Sequence, residues 1–311
     1  MIRCNLLIFG LAAILIHSPL AIGQKSQVPR VNRRIPEGTS VQKDIVYAAV
    51  GERKLHLDFY HPSSDPGDEL LPLVVWVHGG GWRSGSKNGA GPSLALLSRG
   101  FAVASIEYRL SGEAIFPAAV ADCKAAVSFL RHHAEKFRID ADRIGAWGSS
   151  AGGHLVSMLG TTGDDTAFQL HPITKDSSSA VQAVCNWFGP TDFLRMNDTR
   201  GAIDHDSAES PESRFIGGRI QENPEKVQRA NPVSYITKVD PPFLHLHGSN
   251  DRLVPLSQSQ LFHDALRSAG VSSNLHVVKG GGHGFGGAEE PMKDLVERSI
   301  GFFETHLSKA K

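Results

Sequence analysis

Gly148-Ser149-Ser150-Ala151-Gly152 sets a serine midway between two glycines, with an apolar run on either side. A serine hydroxyl is a weak nucleophile until it stands exposed beside a base. Glycines two before and two after leave room for a sharp strand-to-helix turn that presents Ser150. The helix that follows aims free N–H groups and its positive dipole end at the point where an oxyanion would form. Three other loops carry groups that such a serine needs. His78-Gly79-Gly80-Gly81-Trp82 follows a buried-strand pattern, and its glycines let backbone N–H groups approach a ligand closely. No Gly-Lys-Ser/Thr ending follows, so a phosphate loop is disfavoured. Asp251 follows His247-Gly248-Ser249-Asn250, and His283 sits in Gly280-Gly281-Gly282-His283-Gly284. The chemistry these types permit is acyl transfer: Ser150 attacks, His283 takes the proton, and Asp251 orients the imidazole.

Each assignment has a rival. Ser149 lies one residue off the motif's centre. Asp192 closes an earlier strand and stays open as the acid. His247 reads as a packed strand-end residue, His154 as structural, and His132 and His133 as a solvated helix face without metal-ligand spacing. Tyr108, Arg109 and Asp122 read as scaffold groups bonded to one another.

The elements that must position these groups follow from periodicity. Asp44–Val50 and Lys54–Tyr60 read as strands, the second half-exposed by its alternation. Leu73–Val77 and Phe101–Ile106 are continuous apolar runs, as in strands covered on both faces. Pro117 opens a helix with Val120, Cys123, Val127 and Leu130 at helical spacing. The spacing predicts further strands at Val181–Phe188, Pro242–Leu246 and Leu275–Val278, each before a loop of interest. Helices are predicted at Ser93–Ser98, Glu225–Arg229, Gln258–Ser268 and Met292–Leu307, the last with Val296, Ile300, Phe303 and Leu307 on one stripe. Residues 193–223 lose periodicity and read as an irregular excursion over the sheet. Strand alternating with helix defines an α/β fold with a mainly parallel central sheet and helices on both faces. Ligands gather there beyond the strands' carboxyl ends.

Of 311 residues, 41% are hydrophobic and 21% charged, and 32 basic residues balance 32 acidic ones. No basic stripe recommends a nucleic-acid partner. Residues 1–23 read as a signal peptide: Arg3, the apolar run Leu6–Ile16, and Ala21-Ile22-Gly23 before Gln24. The run is short for a membrane span, so the expectation is a secreted or periplasmic protein without stable membrane insertion, an uncleaved anchor being the competing reading. Residues 24–40 form a lead-in, and 41–311 the folded domain. Cys123 and Cys185 read as buried free thiols, and no metal site is expected.

The order of loop, Ser150, Asp251 and His283 is the chain order of an α/β-hydrolase. Beyond order, His78-Gly79-Gly80-Gly81-Trp82, Tyr108-Arg109-Leu110, Phe116-Pro117-Ala118-Ala119 and Gly148–Gly153 resemble the hormone-sensitive-lipase-like esterases. The continuation Gly81–Lys87 and the segment Asp251–Ser259 resemble their bacterial feruloyl-esterase-like branch. The resemblance runs from about residue 44 to the C-terminus. It implies the α/β-hydrolase fold, a serine carboxylesterase activity without cofactor, and an oxyanion hole from the N–H groups of Gly80, Gly81 and Ala151. It further implies short-chain or aromatic acyl esters, acetyl or feruloyl, on small molecules or polysaccharides. Trp82, Trp187 and Phe285 are the candidates for stacking on an acyl group or sugar ring. Lipase action on longer chains and serine exopeptidase action are the enzymatic alternatives, and a non-catalytic binding module is the alternative of another class.

Overall fold

The apolar runs assemble into the centre of one sheet, seen in a computed structural model that describes residues 35–62, 67, 69–199 and 201–309. The expected signal peptide lies outside the described residues. β1 (Ser40–Val50), β2 (Arg53–His61), β3 (Leu71–Val77) and β4 (Ala102–Ile106) come first. Then follow α1 (Ala118–His132), α2 (Ala134–Phe137), β5 (Ile139–Ser149), α3 (Ala151–Thr162), α4 (Ile173–Asp176) and β6 (Ala183–Trp187). The remainder is α5 (Pro211–Ile216), α6 (Pro224–Ala230), β7 (Phe243–Gly248), α7 (Ser257–Ser268), β8 (Ser273–Val278) and α8 (Met292–Leu307). The predicted Ser93–Ser98 helix is a tight 3-10 segment, Gly91–Arg99, ended by Gly100 in the left-handed region.

Among the described residues the sheet has eight strands in the order β1-β2-β4-β3-β5-β6-β7-β8. β1, β2 and β4 pair antiparallel, and every pair from β4 onward is parallel. The carboxyl ends of β3, β5, β6, β7 and β8 therefore share one edge, which delivers all the expected loops to one place. β4 is buried along its whole length, and β3 at all but Pro72. Helices cover both faces. Val120, Cys123, Val127 and Leu130 of α1 are enclosed on one face, and Ile300, Phe303 and Leu307 of α8 on the other. Each such fully enclosed large aliphatic or aromatic side chain contributes about 1.5–3 kcal/mol.

Two expectations change. β2 is buried on both faces and not half-exposed: Asp58 and Tyr60 are enclosed along with Leu55, Leu57 and Phe59. The buried Asp58 is satisfied because Lys87 Nζ lies 2.7 Å from its Oδ1 and the Asp44 N–H donates to it. Residues 193–223 are also more ordered than their lost periodicity suggests. They carry α5 and bury Phe193, Met196, Phe215, Ile216 and Ile220. Ser210 caps α5 by accepting the Ser213 N–H, Pro211 occupies its first turn, and Gly217 ends it at φ 76°. Cys123 and Cys185 are buried and free. Among the described residues no helix is long and apolar enough to cross a membrane.

Candidate active site

Ser150 stands between β5 and α3 at φ 55°, ψ −123°, a strained conformation that few residues other than glycine adopt. The flanking glycines make the turn possible. A Cβ on Gly148 would stand 2.3 Å from the Gly152 carbonyl oxygen, and one on Gly152 would stand 2.1 Å from that of Val77. The Ser150 N–H donates to the Trp187 carbonyl at 2.9 Å, which ties the turn to β6.

His283 Nε2 lies 3.0 Å from Ser150 Oγ, and His283 Nδ1 lies 2.7 Å from Asp251 Oδ2. A carboxylate only accepts, so Nδ1 carries the proton and Nε2 faces the serine as an acceptor. Asp251 Oδ1 accepts the N–H groups of Leu253 and Val254, both at 2.9 Å. Burial raises the Asp251 pKa, but hydrogen bonds from His247 and His283 outweigh it and hold the carboxyl well below the usual carboxylate range. His247 does more than pack at a strand end. Its Nε2 lies 3.5 Å from Asp251 Oδ2 and 2.9 Å from the Val254 carbonyl, while Nδ1 accepts from Ser259 Oγ at 2.7 Å. The His283 loop is fixed by the Gly282 N–H on the Gly286 carbonyl, and the Asn250 N–H on the Gly281 carbonyl joins it to the Asp251 loop.

The rivals are separated by these distances. Ser149 lines the cleft, but the imidazole meets Ser150. Asp192 accepts from Asn231 Nδ2 at 3.0 Å and makes no bond to His283. His78 is buried, stacks on Tyr108 at 4.4 Å and has its Nδ1 2.7 Å from the Gly79 carbonyl; burial lowers its pKa. Arg109 and Asp122 pair bidentately as expected, with His171 Nε2 2.8 Å from Asp122. Tyr108 instead donates to the His78 carbonyl at 3.0 Å and so braces the glycine loop.

In that loop Gly80, Gly81 and Trp82 all have positive φ, at 118°, 59° and 55°. The Gly80 carbonyl accepts the Arg83 and Ser84 N–H groups, which pins the turn. The N–H groups of Gly80, Gly81 and Ala151 donate to no acceptor among the described residues. They flank a cavity of about 850 Å³ lined by both loops, Ser150, His283, Phe188, Leu253, Val254 and the segment 203–212.

The three aromatic candidates divide. Trp82 borders this cavity but is only 2% exposed, its ring held by Nε1–H donating to His154 Nδ1 at 3.2 Å and by packing on Phe193 and Phe215. Trp187 and Phe285 do not line it. They are 3% and 2% exposed in the core under α8, where Trp187 Nε1 donates to Ser299 Oγ at 3.0 Å. β6 points Trp187 away from the cleft. The next residue, Phe188, turns at φ 43° and sets its ring centre 4.8 Å from that of His283, edge to face. Phe188, His205 and Glu212 were not singled out in the sequence. The one signal available was the Ser210-Pro211-Glu212 helix start closed by Gly217.

A serine on a strained turn at a parallel sheet's carboxyl edge, bonded to a histidine and through it to an aspartate, is the arrangement of an α/β-hydrolase. The chain belongs to the BD-FAE family, whose model matches residues 57–266. It is 32% identical to Esterase LipC of Mycobacterium tuberculosis over 77% of this chain, and that alignment spans 60% of LipC's length. A solved truncated carbohydrate esterase from gut microbiota is 30% identical with a TM-score of 0.77, over 87% of this chain and 97% of that one. A bifunctional GH43-CE of Bacteroides eggerthii is 36% identical with a TM-score of 0.74, over 86% of this chain and 38% of that one.

Proposed function

We propose that this protein is a secreted or periplasmic serine carboxylesterase that removes short-chain or aromatic acyl groups, of acetyl or feruloyl type. The observation that carries the reading is the unbroken chain from Asp251 through His283 to Ser150 Oγ, at 2.7 and 3.0 Å. Ser150 Oγ attacks the ester carbonyl while His283 Nε2 takes its proton. The N–H groups of Gly80, Gly81 and Ala151 hold the oxyanion; losing one such donor typically costs about 10²–10³ in turnover. His283 then returns the proton to the leaving alcohol, and water, activated the same way, frees the acid from Ser150. Asp251 stays ionised throughout and stabilises the imidazolium. The cavity of about 850 Å³ has room for an acyl group and its alcohol. The names of the esterase and carbohydrate-esterase relatives support acyl esters, on carbohydrate in the second case. The apolar run Leu6–Ile16 with Ala21-Ile22-Gly23 supports export.

The test is hydrolysis of chromogenic acetyl, butyryl and long-chain esters, and of methyl ferulate, by wild type and Ser150→Ala. Preference for short chains or ferulate with an inactive variant is the expected result. Equal rates in both proteins, or none on any ester, overturn the reading, and a long-chain preference replaces it with a lipase. N-terminal sequencing of the exported protein is expected to begin at Gln24; an intact Met1 overturns the export.

A further inference from the structure

The segment over the sheet carries a second histidine–carboxylate pair into the same cavity. His205 Nδ1 lies 3.0 Å from Glu212 Oε2, and the residues are 1% and 3% exposed. Both line the cavity that holds Ser150 and His283. Neither is spent on the serine's chemistry. The pair is also incompletely used. His205 Nε2 is enclosed without a hydrogen-bond partner. Glu212 Oε1 likewise makes no bond among the described residues, and it is not among the fully enclosed atoms. Buried polar atoms are rarely left unpaired, and one at a binding cleft asks for a ligand. The segment is firmly seated: Pro211 packs so tightly that a Cβ on Gly81 would stand 3.3 Å from it. Asn197 Oδ1 accepts the His205 N–H at 3.1 Å. The segment that carries Glu212 therefore stands beside the glycine loop.

We propose that Glu212, positioned by His205, accepts hydroxyl groups of the substrate, and that the site thereby selects acyl esters of polyols such as sugars over esters of simple alcohols. The chemistry of the wall chooses the ligand. With Nδ1–H donating to Glu212 Oε2, Glu212 Oε1 is left as the acceptor open to the cavity, so the ligand must bring a donor. A sugar hydroxyl supplies one. Asp204, Glu209 and Glu212 on the same wall oppose an anionic ligand. A simple alkyl ester has no donor and leaves Glu212 Oε1 unpaired, which is how a polar site rejects an analogue lacking a hydroxyl. The inference rests on the esterase reading and adds the alcohol that it recognises.

The experiment compares kcat/KM for methyl xyloside monoacetate and for cyclohexyl acetate, a ring of like size without hydroxyls. Wild type is expected to favour the sugar ester. In Glu212→Met the ratio of the two falls at least tenfold, chiefly through KM, and Glu212→Gln, which keeps one acceptor, falls less. Thermal unfolding checks that the variants are folded. Independently of any variant, methyl xyloside is expected to inhibit wild-type hydrolysis of p-nitrophenyl acetate competitively, and cyclohexanol to inhibit it less. An unchanged ratio in a folded Glu212→Met, or equal inhibition by both alcohols, overturns this inference and leaves the esterase reading standing. A wild type inactive on all three esters overturns both.

Discussion

Two histidine–carboxylate pairs face one cavity, and they differ in what meets the second ring nitrogen. In His283–Asp251 the free nitrogen meets a serine hydroxyl at 3.0 Å. In His205–Glu212 it has no hydrogen-bond partner among the described residues. The first pair stands on loops that leave parallel strands, with both Asp251 oxygens bonded. The second stands on a cap segment, with one carboxyl oxygen unclaimed. A shared motif thus gives two capacities. A histidine completed by a hydroxyl can move a proton, while one that only orients a carboxylate leaves that carboxylate to accept from a ligand.

The sharpest way to break this contrast is to delete its centre. Ser150→Ala is expected to lower turnover of every ester by about 10⁴-fold or more, because the nucleophile has no substitute. Steady-state assay with p-nitrophenyl acetate reads it, and residual activity within tenfold of wild type would sink the assignment. Next in size is Asp251→Asn. It keeps the shape but offers His283 Nδ1 an amide in place of a carboxylate, which favours the wrong tautomer and costs about 10⁴-fold in such triads. The same amide change on the other pair makes the comparison fair. Asp251→Asn is expected to depress sugar and alkyl esters alike, whereas Glu212→Gln acts on their ratio and by far less. Matching profiles from the two variants would mean that both pairs do one job.

Legibility followed how local each signal was. β3 and β4 were readable because an uninterrupted apolar run admits few other fates, and the chain order of four loops then located Ser150, Asp251 and His283. Trp187 and Phe285 were misplaced because being near a loop does not say which way a side chain points. In β6 a shift of one residue decides the face: Trp187 goes under α8, and Phe188 turns to His283. The half-exposed pattern of β2 failed because its Asp58 is buried by a distant lysine, Lys87. His205 and Glu212 sit in a polar stretch without periodicity. Only the fold brings that stretch over the cleft, so neither residue carried a signal beyond the short capped helix around it.

A third histidine completes the series and gives the smallest expected effect on turnover. His154 has both nitrogens engaged by neutral partners. Trp82 Nε1–H donates to Nδ1, so Nδ1 must accept, and Nε2 lies 2.7 Å from the Ala230 carbonyl, so Nε2 must donate. That tautomer is neutral, and a second proton would set one N–H against another. Burial accordingly pushes its pKa down from 6.5 to about 4. The unfolded chain takes up this proton near 6.5 and the folded protein only near 4. Its contribution to stability is therefore complete above pH 6.5, is lost progressively as pH falls, and is gone below about 4. His154→Gln is expected to keep both bonds through its amide while removing the titration. Urea unfolding at steps from pH 7.5 to 4.5 should then give a shallower decline in stability than wild type. Some slope remains, because His245, pushed to about 3 by burial and two neighbouring histidines, follows the same rule. Identical slopes in the two proteins would show that His154 is not held neutral. The contrast among the three histidines would then lose the member in which full satisfaction makes the ring purely structural.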